Sequence, residues 1–265
     1  MIQVQQLKLP VGHKENALLE ALISKLHVKK DEILSFEVAK RSLDARKKPE
    51  LFYSYVVNVQ VKNQAAVLRK KPKNTIPFEK KIYQLPSPLK ESPSRRPVII
   101  GSGPAGLFAG LVLARLGCRP ILLERGDSVE TRQKKVDLFW NTGVLDPESN
   151  VQFGEGGAGT FSDGKLNTAV KDPSGRNGFV LRTFVEMGAD PEILYLNKPH
   201  IGTDILRTVV TRLREEILSL GGEVRFRSRV TDFFIRDGQM TGVEINGIER
   251  LDADQVILAT GHSAR

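Results

Sequence analysis

Cysteine occurs once in 265 residues, at Cys118, so the chain has no internal disulfide and no CxxC or CxxxxC redox pair. No signal peptide is expected either: Met1-Ile2-Gln3-Val4 alternates, and no apolar core follows it. Both absences point to a reducing, cytoplasmic setting. No His, Cys, Asp and Glu residues stand at metal-ligand spacing, so no metal is expected, and neither a GxSxG elbow nor a kinase set is present. The charge-free stretch Val98 to Ala114 is 17 residues long and holds Gly101, Gly103, Pro104, Gly106 and Gly110. A membrane span needs about 20 apolar residues, so no membrane association is expected. What remains is 40% hydrophobic and long enough for two globular domains.

Charge divides the chain. Residues 1–97 hold 20 Lys+Arg against 9 Asp+Glu, whereas residues 98–265 hold 20 against 22. In the basic part, periodicity predicts strands over 1–10, 33–39 and 51–61, and helices over 16–26 and 63–70. A basic connection, 41–49, joins the second and third strands. This β-α-β-β-α order suggests a small ferredoxin-like α+β domain over 1–83. Six of the 14 prolines lie between Pro72 and Pro97. Proline fixes φ and removes donors, so 84–97 is expected as a Pro/Ser-rich linker.

The informative pattern begins at Val98-Ile99-Ile100, an apolar strand running into Gly101-Ser102-Gly103-Pro104-Ala105-Gly106. Gly101 permits the tight turn, Gly103 lets a pyrophosphate approach the backbone, and Gly106 lets the following helix pack closely. The helix N-terminus then offers free N–H groups to an anion. Glu124 closes a second strand about 20 residues on, where a carboxylate can hold a ribose diol. Together these features predict a Rossmann-like dinucleotide-binding domain over 98–265.

Further along, five glycines crowd into Gly154–Gly164, with Thr160 and Ser162 among them. Such a loop forms anion-binding nests and can lie flat against a large cofactor. Helices are expected over 131–140, 177–187 and from Thr203 or Asp204 to Leu220, and a short strand over 193–196. Turns at Asp237-Gly238 and Asn246-Gly247 mark hairpins. The strand Val256-Ile257-Leu258 then ends in Ala259-Thr260-Gly261.

The Val98–Glu124 unit, answered downstream by Ala259-Thr260-Gly261, resembles the flavoproteins with two dinucleotide-binding domains. The Gly154–Lys165 loop and the segment Lys40-Arg41-Ser42-Leu43-Asp44-Ala45-Arg46 resemble, more narrowly, the uncharacterised bacterial FAD-dependent (NAD/FAD-utilising) dehydrogenases. The resemblance implies FAD as cofactor, with Gly101, Ser102, Gly103, Pro104, Ala105, Gly106 and Glu124 at its phosphates and ribose. Arg125, usual after the acid in such sites, joins them and is not taken for an NADP-phosphate ligand. Gly156, Gly157 and Thr160 would follow the pyrophosphate and ribityl chain, Val230 would offer its backbone to adenine, and Thr260 and Gly261 would close over the phosphates. Family chains run on beyond the Ala-Thr-Gly strand, so ending at Arg265 is expected to leave an N-terminal fragment with an incomplete FAD-binding domain.

That resemblance implies an oxidoreductase of dehydrogenase type, acting through flavin on an unidentified small molecule and drawing on NAD(P)H. The single cysteine removes disulfide reduction from its options. No catalytic acid or base can be named. Lys165 and His262 are candidates for a place near the cofactor, while His200 reads as a loop or capping residue. The alternative function is a basic nucleic-acid-binding or tRNA-linked N-terminal module, acting through Arg46-Lys47-Lys48 and Arg69-Lys70-Lys71-Pro72-Lys73 and attached to a flavin-binding or degenerate nucleotide fold. Against it, the aromatics at 52–55 read as core strand.

Overall fold

The first unit is built on two periodicities. In β1 (Ile2–Pro10) Ile2 and Val4 turn to one side, and in α1 (Ala17–Leu26) Leu18, Leu22 and Leu26 recur one turn apart. β2 (Ile33–Asp44), β3 (Phe52–Val61), α2 (Gln64–Arg69) and β4 (Thr75–Pro77) follow. The Asn63 side chain caps α2, accepting from the Ala66 amide at 3.0 Å. The strands lie in the order β2-β3-β1-β4, each neighbouring pair antiparallel. This is the ferredoxin-like arrangement. Its core gathers Ile2, Val4, Leu22, Leu26, Val57 and Val59. Tyr55 is buried with them and Tyr53 packs alongside, so these two rings are core and not a stacking platform.

The computed structural model describes residues 1–46, 48–162, 164–166, 168 and 171–261. Lys47, Asp163 and His262 lie outside the described residues.

The second unit is organised by a parallel sheet. β5 (Val98–Ile100), α3 (Pro104–Arg115) and β6 (Ile121–Leu123) form the expected strand–helix–strand. α4 (Val129–Thr142) ends at Gly143, which takes φ 76° as a left-handed cap. α5 (Arg176–Glu186) belongs almost wholly to the first unit. α6 (Thr203–Ser219) buries Val209, Val210, Leu213 and Ile217, then leads to β7 (Glu223–Arg225). β8 (Val230–Arg236), β9 (Gln239–Ile245) and β10 (Glu249–Asp252) make an antiparallel sheet. Its turns put Asp237, Gly238, Asn246 and Gly247 all at positive φ, the hairpin geometry their sequence implies. β11 (Val256–Leu258) returns to pair in parallel with β5, giving the order β11-β5-β6-β7.

Gly110 provides the close helix–sheet approach: a Cβ there would lie 2.8 Å from Leu122 Cδ1 and 3.1 Å from Ile217 Cδ1. Gly106 instead packs on the turn, where a Cβ would meet the Gly101 oxygen at 1.9 Å.

Three local expectations are corrected. β2 continues through Arg41–Asp44, because those residues pair with Phe52–Tyr55 and do not form a loop. Thr75–Pro77 forms an edge strand inside the proline-rich stretch; at an edge, proline's missing donor leaves no ladder bond unmade. The strand expected over 193–196 is a 3₁₀ turn, Pro191–Leu194, with only Leu196 bridging Arg41. That bridge reflects a larger difference. Residues 166–185 and 190–199 fold with 1–83, so the chain returns to its first unit after starting the second, and 98–265 is not one continuous domain. Arg41 holds the returning segment: its guanidinium bonds both Glu192 carboxylate oxygens, at 2.9 and 3.0 Å. It also sits over the rings of Tyr53 and Tyr195, at 5.1 and 5.2 Å.

Candidate functional site

In an open parallel sheet, ligands bind beyond the carboxyl ends of the strands where the strand order reverses. Here the reversal lies between β5 and β11, since β6 and β7 extend from one side of β5 and β11 adds to the other. A cavity of about 740 Å³ opens there. Its floor is Ile100, Gly101, Leu258, Ala259 and Thr260, and its walls come from Gly103–Ala105, Glu124–Arg125, the 152–158 loop and Ser228–Thr231.

The glycines are spaced for a ligand's approach. Gly101 sits at φ 99° against the β11 end, where a Cβ would lie 2.7 Å from the Ala259 oxygen. Gly103 faces open space: a Cβ there would touch nothing within 4 Å. Pro104 begins α3 at a position that has no intrahelical acceptor for an N–H. Glu124 is almost fully buried at the end of β6 and faces the glycine turn. Its Oε2 accepts from the Ser102 amide at 2.9 Å and hydroxyl at 2.8 Å, and its Oε1 accepts from the Gly126 amide at 2.8 Å. A carboxylate has about four acceptor positions, so Oε1 retains capacity for one more donor. Arg125 forms a two-pronged pair with Glu148, at 2.9 and 3.0 Å, and lies over the Phe153 ring at 4.6 Å.

Of the residues expected at the site, Gly101, Gly103, Pro104, Ala105, Glu124, Arg125, Gly157, Val230, Thr260 and Gly261 line this cavity together. Ser102, Gly106, Gly156 and Thr160 sit behind it. Ser102 and Thr160 are buried, and the Gly156 amide donates to the Ser102 oxygen at 2.8 Å. Lys165 and His200 are exposed, bridge each other by backbone, and are not among the lining residues.

Behind the loop lies a charged cluster that the sequence pattern did not reveal. Arg132, on α4, is fully buried. It donates to the carbonyls of Asn150, Val151, Glu155 and Gly157 at 2.7–2.8 Å, and to that of Gly154 at 3.3 Å. Burial lowers its guanidinium to about 10, opposed by the nearby Glu124 and Glu155 charges. The Glu155 carboxylate is buried too; its Oε2 takes the Val129 amide at 2.8 Å and Arg214 at 2.9 Å, while Oε1 has no partner among the described residues. Burial raises this carboxyl to about 7, outweighing the attraction of Arg214. An arginine on an amphipathic helix and a glutamate in a glycine loop both look solvated in sequence; only the fold buries them.

Among the described residues, no helix is long and apolar enough to cross a membrane, and no three His, Cys, Asp or Glu residues gather as metal ligands. Cys118 is buried, and burial pushes its thiol up.

Residues 1–60 match a domain of unknown function (DUF8436). An uncharacterized protein of Clostridium beijerinckii is 43% identical over 266 residues, covering all of this chain and 49% of the relative. The chain thus spans about half the length of that curated relative. Among solved structures, thioredoxin reductase of Lactococcus lactis is 17% identical, over 65% of this chain and 37% of that one, with TM-score 0.35. Glycine oxidase of Bacillus cereus is 15% identical, over 63% and 55%, also with TM-score 0.35. Residues 95–265 match the pyridine nucleotide-disulphide oxidoreductase model, so the chain belongs to that family and carries its Rossmann-like, FAD-binding fold.

Proposed function

We propose that this chain holds FAD in the cavity at the β5–β11 crossover and serves an oxidoreductase of dehydrogenase type, in a reducing cytoplasm. The observation carrying this reading is the joint lining of that cavity by Gly103, Gly157 and Glu124. Gly103 leaves room for a group a side chain would displace, and a Cβ at Gly157 would come only within 3.4–3.5 Å of Pro104 and Gly103. A cofactor pocket typically measures about 300–1,000 Å³, which this cavity satisfies.

In this reading the amides at the start of α3 face the diphosphate, and Glu124 Oε1 holds the adjoining ribose. Thr260 and Gly261 close the other side, and Val230 borders the adenine end. Arg125 is held by Glu148 and Phe153 as a wall of that end. When bound, the flavin supplies hydride or electron transfer, with NAD(P)H as the partner and a small molecule as substrate. The protein's own task is to bind, orient and shield it. Within these 265 residues the one cysteine, Cys118, cannot form a dithiol pair.

Purification tests the reading directly. The expected product is a yellow protein with an oxidised-flavin spectrum that bleaches with NADH or NADPH. Colourless protein that takes up no FAD on titration would overturn it, and salt-sensitive retention on RNA would then favour the basic module as the functional part.

A further inference from the structure

The buried Arg132 is the largest group at the site without a role in ligand contact. Its donors go to five backbone oxygens between Asn150 and Gly157, and none of them pairs with a carboxylate among the described residues. A trans peptide is planar, with its C=O and N–H pointing opposite ways. Each oxygen drawn to the guanidinium therefore turns the following N–H away from it. At the Glu155–Gly156 peptide, the freed N–H reaches the Ser102 oxygen at 2.8 Å, docking this loop on the GxGxxG turn. At the Gly157–Ala158 peptide, the oxygen lies 2.8 Å from Arg132, both residues line the cavity, and the Ala158 N–H has no acceptor among the described residues.

We propose that Arg132 is the positioning residue for the cofactor's diphosphate, presenting the Ala158 amide to it and locking Gly154–Gly157 onto Ser102. This rests on the dinucleotide reading of the cavity. A guanidinium with five donors can turn several carbonyls at once, which a lysine ammonium with three cannot. Its positive charge, set behind neutral peptides, also favours an anion in front of them.

The test compares ADP with adenosine, two ligands differing by the diphosphate, using the full chain stripped of flavin and titrated calorimetrically. Arg132→Lys is expected to weaken ADP by at least about tenfold while adenosine changes less than about threefold. A general loss of packing would weaken both alike. Ala158→Pro is the second variant: it removes only that amide, at the first position of the Ala158–Phe161 3₁₀ turn, where proline is tolerated. It is expected to give the same selective loss even where Arg132→Lys fails to fold. ADP affinity within about twofold of wild type in Ala158→Pro overturns the inference, as does equal weakening of both ligands. Wild-type protein that binds neither ADP nor FAD removes the dinucleotide reading and this inference together. Wild-type binding with an unaffected variant removes only the inference.

Discussion

Glu124 accepts two hydrogen bonds from Ser102 through a single carboxylate oxygen, from the amide at 2.9 Å and from the hydroxyl at 2.8 Å. The acid at the end of one strand is thereby oriented by the turn leaving the neighbouring strand. Ser102→Ala removes the hydroxyl donor and leaves the amide. Hydrogen bonds to charged groups contribute about 1.5–3 kcal/mol, so a loss of roughly that size is expected in urea unfolding. With Glu124 freer to turn, FAD affinity is expected to fall about tenfold, read by flavin retention on gel filtration.

Two glycines of the GxGxxG motif predict opposite outcomes. Gly103 has an ordinary φ of −67° and open space where a side chain would go. Gly103→Val should keep the melting temperature within a few degrees and abolish flavin retention, because the side chain would occupy the proposed diphosphate path. Gly106→Ala should do the reverse first. Its Cβ would lie 1.9 Å from the Gly101 oxygen, a backbone atom that cannot move without opening the turn, so several kcal/mol of stability are at stake. Unchanged flavin content in Gly103→Val would sink the placement of the cofactor.

These glycines and Glu124 were legible because their meaning is local. A strand, a turn of fixed spacing and an acid at the next strand end lie within 27 residues, and neighbouring chain dictates their geometry. The hairpin turns at Asp237 and Asn246 were legible for the same reason. Arg132 was not, because its acceptors lie 18–25 residues away on a loop with no strand or helix period. The edge strand Thr75–Pro77 was hidden by proline, and it exists only because β1 offers three residues to pair with. The return of 190–199 to the first unit was hidden more deeply. Pairing between Arg41 and Glu192 spans 151 residues, a separation at which pattern carries no information.

That pairing makes its own prediction. Arg41 is enclosed by Tyr53, Tyr195 and Glu192, and its Nε is buried without a partner among the described residues. Glu192→Ala leaves the guanidinium with aromatic faces only. Because Glu192 is 43% exposed, water screens part of the loss, and about 1 kcal/mol is expected. Its signature is local: faster amide exchange at the Arg41–Leu196 bridge, with β5 and β6 unaffected. Uniform change across both units would show that Arg41 does not hold the segment.

Glu155 gives the chain a pH dependence of a definite sign. In the unfolded chain its carboxyl ionises at the ordinary 4.5, whereas in the folded chain burial raises it to about 7. Between those values the folded chain holds a proton that the unfolded chain has released. Stability from this group is therefore present below about 4.5, lost as pH rises through the window to about 7, and absent above it. Arg214 and Arg132 oppose the shift, while Glu130 and Glu124 reinforce it. Glu130 and Glu148 are held low by Arg214 and Arg125, and they lose stability in the opposite direction as pH falls. A bare stability profile thus mixes the two effects, and the difference between wild type and Glu155→Gln separates them. Glutamine keeps an acceptor for the Val129 amide and cannot ionise. At pH 8 the variant is expected to be the more stable by up to about 3 kcal/mol, with Arg214's lost partner reducing that figure. At pH 5 the two should converge. A difference constant from pH 5 to 8 would mean that Glu155 stays ionised throughout, with Arg214 outweighing the cost of its burial.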